Sequence, residues 1–248
     1  MLQGEFDPLQ VPSPLSTPPG PVLRPLDAFT GSLAGRAYQS LKEAILDIRY
    51  QPGEILRKAE ICAQLGVSRS PVAEAVARLS AEGLVEVVPQ AGTFVARFSM
   101  AEIREGAFLR EALELAAVER LAEAISDSEI MLLRRNLRLQ EVLLADGDLA
   151  GFHQADEAFH ALMLGATGFR RLATLAQTSW VHVNRARQLL LPAPGRAQAT
   201  LVEHGAIIDA LAAHDPALAR LTTRDHLRQL VTFLEPLAAA RPELFALA

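Results

Sequence analysis

The run from Ile61 to Val88, ICAQLGVSRSPVAEAVARLSAEGLVEVV, constrains the fold more than any other stretch of the chain. It reads as a short helix over Lys58 to Leu65, a tight turn at Gly66 and a second helix that begins near Ser68. There Ser68 or Ser70 can accept an orphan backbone N–H, and Pro71 is tolerated in the first turn. Val72, Val76 and Leu79 recur at i, i+4 and i+7, which predicts one buried stripe. The opposite face then carries Arg69, Ser70, Ala73, Glu74, Ala77 and Arg78. Gly83 can take the left-handed conformation that ends a helix. Beyond it LVEVVP and TFVARF are two β-prone runs around Gln90, Ala91 and Gly92, a hairpin signal. Helix, turn, helix and ribbon together predict a winged helix-turn-helix.

Such an element has a physical use. A helix whose exposed N-terminal end carries Arg and Ser can enter the major groove of DNA, where Arg reaches guanine O6 and N7 while the preceding helix crosses the backbone. The hairpin tip, with Gly92 permitting close approach, can touch phosphate or the minor groove. The candidate contacts are Arg57, Lys58, Ser68, Arg69, Ser70, Arg78 and Gly92, with Arg69 first.

At these residues the chain resembles the GntR family of bacterial transcription regulators, whose signature the run GVSRSPVAEAVARLSAEGLVEVVPQAGTFV matches almost continuously. The resemblance implies a DNA-binding repressor or activator that responds to a small metabolite, working as a homodimer on an inverted-repeat operator. Two positions depart from the family: Ala73 stands where relatives commonly carry Arg in the recognition helix, and Ala91 stands where a basic residue commonly precedes the wing glycine. An operator sequence therefore cannot be borrowed from relatives.

Charge and composition bound the rest. The net charge of −5 is not that of a globally basic nucleic-acid binder. Residues 31–98 carry eight basic against seven acidic side chains, and residues 99–248 carry 15 against 19, so non-specific DNA affinity should be modest and salt-sensitive. The single cysteine, Cys62, excludes an intramolecular disulfide; it fits a cytoplasmic protein and reads as a buried structural thiol. No apolar run approaches the roughly 20 residues needed to span a bilayer. Seven of the 15 prolines fall within residues 1–30, so residues 1–31 are expected to form a disordered Pro-rich tail.

The expected organisation is mainly α: a winged helix-turn-helix with a small hairpin wing over residues 32–98, and an antiparallel bundle of six or more helices over 99–248. Ala37, Leu41, Ile45 and Ile48 form the stripe of a first helix. In the second region helices are predicted from Met100 onward, including Leu149 to Ala166, Phe169 to Leu191, Arg196 to Ala213, and a last one from Pro216 that should stop before Pro236.

Within that bundle Asp156 and His160 lie four apart, on one helix face. His204 and His226 are each eleven residues from Asp215 at a helix turn, so an antiparallel pair sets them at one depth. If those faces converge, one carboxylate and three imidazoles surround a point. Such a set suits Zn²⁺, Ni²⁺ or Mn²⁺, with Zn²⁺ the first choice. REALE at Arg110 to Glu114, Asp156 with His160, Glu203 with His204, DPALA from Asp215 and the final His226 resemble the FCD-type effector domain of one GntR subfamily, whose metal ligands are one Asp and three His. Arg110, Arg187 and Arg224 are candidates for pairing the carboxylate of a small effector. The alternative is a metal-dependent hydrolase with an appended winged helix. It lacks a convincing general base, because Glu157 and Glu203 neighbour the ligands on other helix faces.

Overall fold

The computed structural model describes residues 22–246, which divide into two compact units: residues 22–99 together with 241–246, and residues 100–240. In the first, α1 (Leu33–Leu46) begins where Ser32 Oγ accepts the Gly35 N–H at 3.1 Å. Helix α2 (Lys58–Leu65) ends at Gly66 in the left-handed region, φ 64°. Helix α3 (Arg69–Ala81) has Ser68 at its N-cap position, although that side chain makes no capping hydrogen bond. Val72, Ala75, Val76 and Leu79 of α3 are buried, and α1, with Leu41 and Ile45 buried, packs against it. Strands β1 (Val85–Val88) and β2 (Gly92–Val95) pair antiparallel, Val85 opposite Val95 and Val88 opposite Gly92. The preceding segment adds to the ribbon: Leu56 N–H donates to Thr93 O at 2.7 Å and Val95 N–H to Glu54 O at 2.8 Å.

Several details differ from the sequence expectation. Helix α1 stops at Leu46 and does not reach Ile48, which sits at φ 55° while the Tyr50 N–H returns to Ala44 O at 3.1 Å. Burial of Tyr50 is what the extra turn achieves. Cys62 is half-buried, its sulfur 3.6 Å from Ser68 O, not enclosed in the core. Of the expected disordered tail, residues 1–21 lie outside the described residues. Residues 22–31 are tied down: Leu23 is buried with its N–H on Gln64, and Ser40 Oγ donates to Arg24 O at 2.7 Å.

The first unit is closed by the end of the chain, a stretch that residue spacing assigned to the helical region. Phe98 N–H donates to Leu244 O at 3.0 Å and Ala246 N–H to Phe98 O at 2.8 Å, forming a parallel bridge. The Phe98 and Phe245 rings lie 5.6 Å apart, and Arg97 Nε donates to Glu243 O at 3.1 Å.

The second unit comprises α4 (Met100–Ala124), α5 (Asp127–Ala145), α6 (Leu149–Ala166), α7 (Arg170–Ser179), α8 (Val181–Arg187), α9 (Arg196–Ala212) and α10 (Pro216–Ala240). Ser126 and Glu129 form a reciprocal capping box at the start of α5. Val118, Leu121, Leu133, Phe159, Met163, Ile207 and Leu211 bury the facing sides of α4, α5, α6 and α9, each worth about 1.5–3 kcal/mol of apolar transfer. The single helix expected over Phe169 to Leu191 is broken at Trp180 (φ −103°, ψ 8°), whose indole is buried with the Arg110 guanidinium 5.1 Å from its ring centre. Helix α10 does not stop before Pro236 but runs through it. Leu234 and Leu237 are fully buried on either side while Pro236 is exposed, so packing outweighs the proline's local cost.

Candidate metal centre and nucleic-acid interface

The polar residues of the helical unit lie where its apolar stripes are interrupted. Helix α6 presents Asp156 and His160, α9 presents His204, and α10 presents His226; all four are buried. Ligand atoms of the three histidines lie within 4.8 Å of one another. His226 Nε2 is 3.3 Å from His160 Nε2, and His204 Nε2 is 3.5 Å from Asp156 Oδ1. Three helix faces thus converge, and His204 and His226 lie at one depth as the mirrored spacing about Asp215 anticipates.

Each histidine is held from behind through Nδ1. His160 Nδ1 meets Glu114 Oε2 at 2.6 Å, His204 Nδ1 meets Gln140 Oε1 at 2.9 Å, and His226 Nδ1 meets Glu203 Oε2 at 2.7 Å. Gln140 Nε2 in turn donates to Asn136 Oδ1 at 2.6 Å, which leaves its oxygen as the acceptor. Carboxylates only accept, so each Nδ1 carries a proton, which leaves Nε2 as the atom able to offer a lone pair. His204 also stacks on Phe159, ring centres 4.1 Å apart.

Electrostatics point the same way. Burial pushes His160 down to about 4 and drives His204 well below the usual histidine range, so both rings are neutral at pH 7. Burial alone would raise Asp156, but the adjacent Arg187 guanidinium, with His204 and His160, outweighs it and holds the carboxyl well below its usual value. Glu114 is likewise lowered against its burial by His160 and Arg110. Asp156 Oδ1 and His204 Nε2 are buried without a hydrogen-bond partner. Acceptors therefore face acceptors at the centre, and such a confrontation is relieved by a cation. The 3.3 Å between two Nε2 atoms is close to the roughly 3.4 Å expected of tetrahedral ligands at Zn–N distances near 2.0–2.1 Å. The donor set fits a divalent transition metal.

Beside this centre is a cavity of about 250 Å³ lined by Gln154, Glu157, His160, Trp180, Asn184 and Arg187 among others. A smaller one, about 40 Å³, lies by His226, Arg196, Thr200 and Phe233. Arg110 and Arg187 line both. Arg224 lines neither: its guanidinium bonds to neighbouring Asp225 at 3.1 Å. Two residues before His226 is about 200° around a helix, which turns Arg224 off the ligand face. Residue spacing missed Glu114, Gln140, Glu203 and Arg196 as the groups behind the histidines. Gln140 had a legible signal, since it is a polar residue at helical spacing among Leu133, Leu137 and Leu144, and it is fully buried.

In the winged unit the six residues expected on the outer face of α3, Arg69, Ser70, Ala73, Glu74, Ala77 and Arg78, are all exposed. Arg69 is the first residue of α3, and Lys58 the exposed first residue of α2. Arg57 is exposed, 3.7 Å from Glu60. Arg78, in the last turn, lies over the Tyr38 ring at 3.8 Å. Gly92 sits at φ 136°, and a Cβ there would come 3.3 Å from Ile55 Cδ1, so the ribbon itself requires glycine.

Residues 33–95 match the model of the bacterial regulatory proteins, gntR family, and residues 105–229 match that of the FCD domain. The chain belongs to the GntR family. An HTH-type transcriptional regulator in an unstable DNA locus of Streptomyces ambofaciens is 36% identical over 209 residues, 84% of this chain and 88% of the relative. The HTH-type transcriptional repressor RspR of Escherichia coli K12 is 29% identical over 193 residues, 78% and 85% of the two chains. A solved GntR transcriptional regulator from Rhodococcus sp. RHA1 superimposes with a TM-score of 0.73 at 27% identity, covering 83% of this chain and 99% of that one. This GntR protein is thus a transcription regulator with an FCD domain, and the hydrolase alternative is set aside. No described helix of the GntR chain is long and apolar enough to cross a membrane.

Proposed function

We propose that this regulator binds a divalent metal, Zn²⁺ first among Zn²⁺, Ni²⁺ and Mn²⁺, through Asp156, His160, His204 and His226. A small carboxylate entering the adjacent cavity then alters operator binding. The convergence of the three histidine ligand atoms within 4.8 Å, with Asp156 Oδ1 3.5 Å from His204 Nε2, carries this reading. The metal supplies a Lewis-acid centre for a carboxylate oxygen, while Arg110 and Arg187 supply the bidentate donors that orient it. An effector shifts the regulator only as far as it prefers one arrangement of the protein over another.

On DNA, Arg69 with Ser68 and Ser70 at the start of α3 reads the major groove, and Arg57 and Lys58 contact phosphates. Arg78 is assigned to the scaffold because Tyr38 already engages it, and Gly92 acts by shaping the wing. A homodimer on an inverted repeat supplies the affinity that a nearly neutral winged unit lacks. The exposed Met131, Leu132, Leu139 and Val142, which share one face of α5, support such a pairing. The test is a selection of genomic fragments on the purified protein at two salt concentrations, with and without Zn²⁺. A shared inverted repeat retained at the higher salt is expected. Fragments without a common sequence, lost as salt rises, would reduce binding to phosphate attraction.

A further inference from the structure

Each carboxylate in contact with the histidine cluster is already neutralised by an arginine. Arg110 Nε donates to Glu114 Oε1 at 2.7 Å, Arg187 pairs with Asp156, and Arg196 pairs with Glu203. These side chains are at most 22% exposed, and Asp156 and Glu114 are at most 1% exposed. A histidine binds a metal only as the neutral ring, so as a ligand set the paired cluster carries no net charge. Two further charges nearby, the buried Arg185 on α8 and Glu157 on the cavity wall, are of opposite sign and leave that balance unchanged.

A divalent cation placed among the ligands therefore adds two positive charges that no protein group offsets. Uncompensated charge in such surroundings is strongly unfavourable. A thiolate or second carboxylate would remove the problem, yet His160, His204 and His226 form the one metal-competent group among the described residues. The compensating anion has to come from outside, and the cavity beside His160 gives it about 250 Å³. The buried Nη1 of Arg187, without a hydrogen-bond partner, is a donor available to it; Arg187 lines that cavity while pairing with Asp156.

We propose that the effector is a small dianion, a dicarboxylate in the first instance, that binds with the metal as a neutral unit, so that each raises the other's affinity. This rests on the metal reading above and names the ligand class it left open. Because binding linkage is reciprocal, the factor by which metal tightens the dianion equals the factor by which the dianion tightens metal.

The experiment is calorimetry and thermal shift on the full-length protein, stripped of metal and then titrated with Zn²⁺. The probes are linear dicarboxylates from malonate to glutarate, each compared with the monocarboxylate of equal carbon number. Coupling of about 5- to 150-fold between Zn²⁺ and at least one dicarboxylate is expected, with the matched monocarboxylate well below it. Arg187→Gln removes one positive charge, so in that variant Zn²⁺ alone should bind more tightly than in the wild type and the dicarboxylate advantage should shrink. Binding of Zn²⁺ without any dicarboxylate coupling, or equal coupling by monocarboxylates, would overturn the proposal while leaving the metal site standing. Failure of the wild-type protein to bind Zn²⁺, Ni²⁺ or Mn²⁺ would overturn the metal reading itself and the proposal with it. If Arg187→Gln melts too low to titrate, Arg187→Lys, which keeps the charge, should retain the coupling, and its loss there would count against charge as the cause.

Discussion

In the winged unit Lys58, Arg69 and Ser70 stand in solvent at helix starts, while in the helical unit Asp156, His160, His204 and His226 are buried, each with a partner behind it. The difference follows from what each has to meet. A phosphate backbone is itself hydrated and extended, so exposed cations can reach it without being desolvated first. A metal ion with a small anion is held by exclusion of water, which requires that every buried polar group be satisfied or aimed at the ligand. Exposed residues can accordingly be exchanged with little effect on the fold, whereas the buried set is continuous with the core through Phe159 beneath His204.

The largest expected separation between the two is at the metal. With free Zn²⁺ about a thousandfold above Kd, the wild-type protein should gain about 4 kcal/mol against unfolding, and His204→Ala should gain almost none. Operator binding by the metal-free protein should be the same in both. Full metal stabilisation in the variant would remove His204 from the ligand set.

Acid should act next, and between pH 7.5 and 5 it should act through the buried histidines. His160, pushed down to about 4, and His204, also lowered, stay neutral in the fold but take up protons near pH 6.5 when unfolded. The stability these neutral rings contribute is complete above pH 6.5 and falls as pH drops below it, the loss from His160 running down to about 4. For metal-stripped protein this amounts to about 1.4 kcal/mol per pH unit for each neutral histidine. Urea midpoints recorded at pH 7.5, 6 and 5 check this; a flat profile would mean that the rings are solvated.

The smallest effect on the fold should come from the exposed face. Arg69→Ala should cost about 1–3 kcal/mol of operator affinity, read by titration of the selected DNA, with the melting temperature unchanged. A variant that melted earlier while binding DNA normally would reverse the contrast between the units.

Legibility in the sequence follows the same division. Helix α2 and the outer face of α3 could be read locally, because Gly66 and the Val72, Val76, Leu79 stripe act within a dozen residues. That His160, His204 and His226 come together could be expected from helical phase and antiparallel return, which are regular. What lay behind them was not: Glu114, Gln140 and Glu203 act across 46, 64 and 23 residues of sequence. The break at Trp180 and the continuation through Pro236 also escaped, for in both places burial of neighbouring side chains overrides the local preference.

The bridge between Phe98 and Phe245 has one more consequence. It makes the winged unit discontinuous in sequence, with the whole helical unit inserted between Ser99 and Arg241. A nascent chain cannot finish the winged unit when its recognition helix leaves the ribosome; Phe98 waits for Leu244, Phe245 and Ala246. Synthesis of the DNA-binding part is thereby tied to completion of the sensor, and a chain interrupted within α10 would lack the segment that pairs with Phe98.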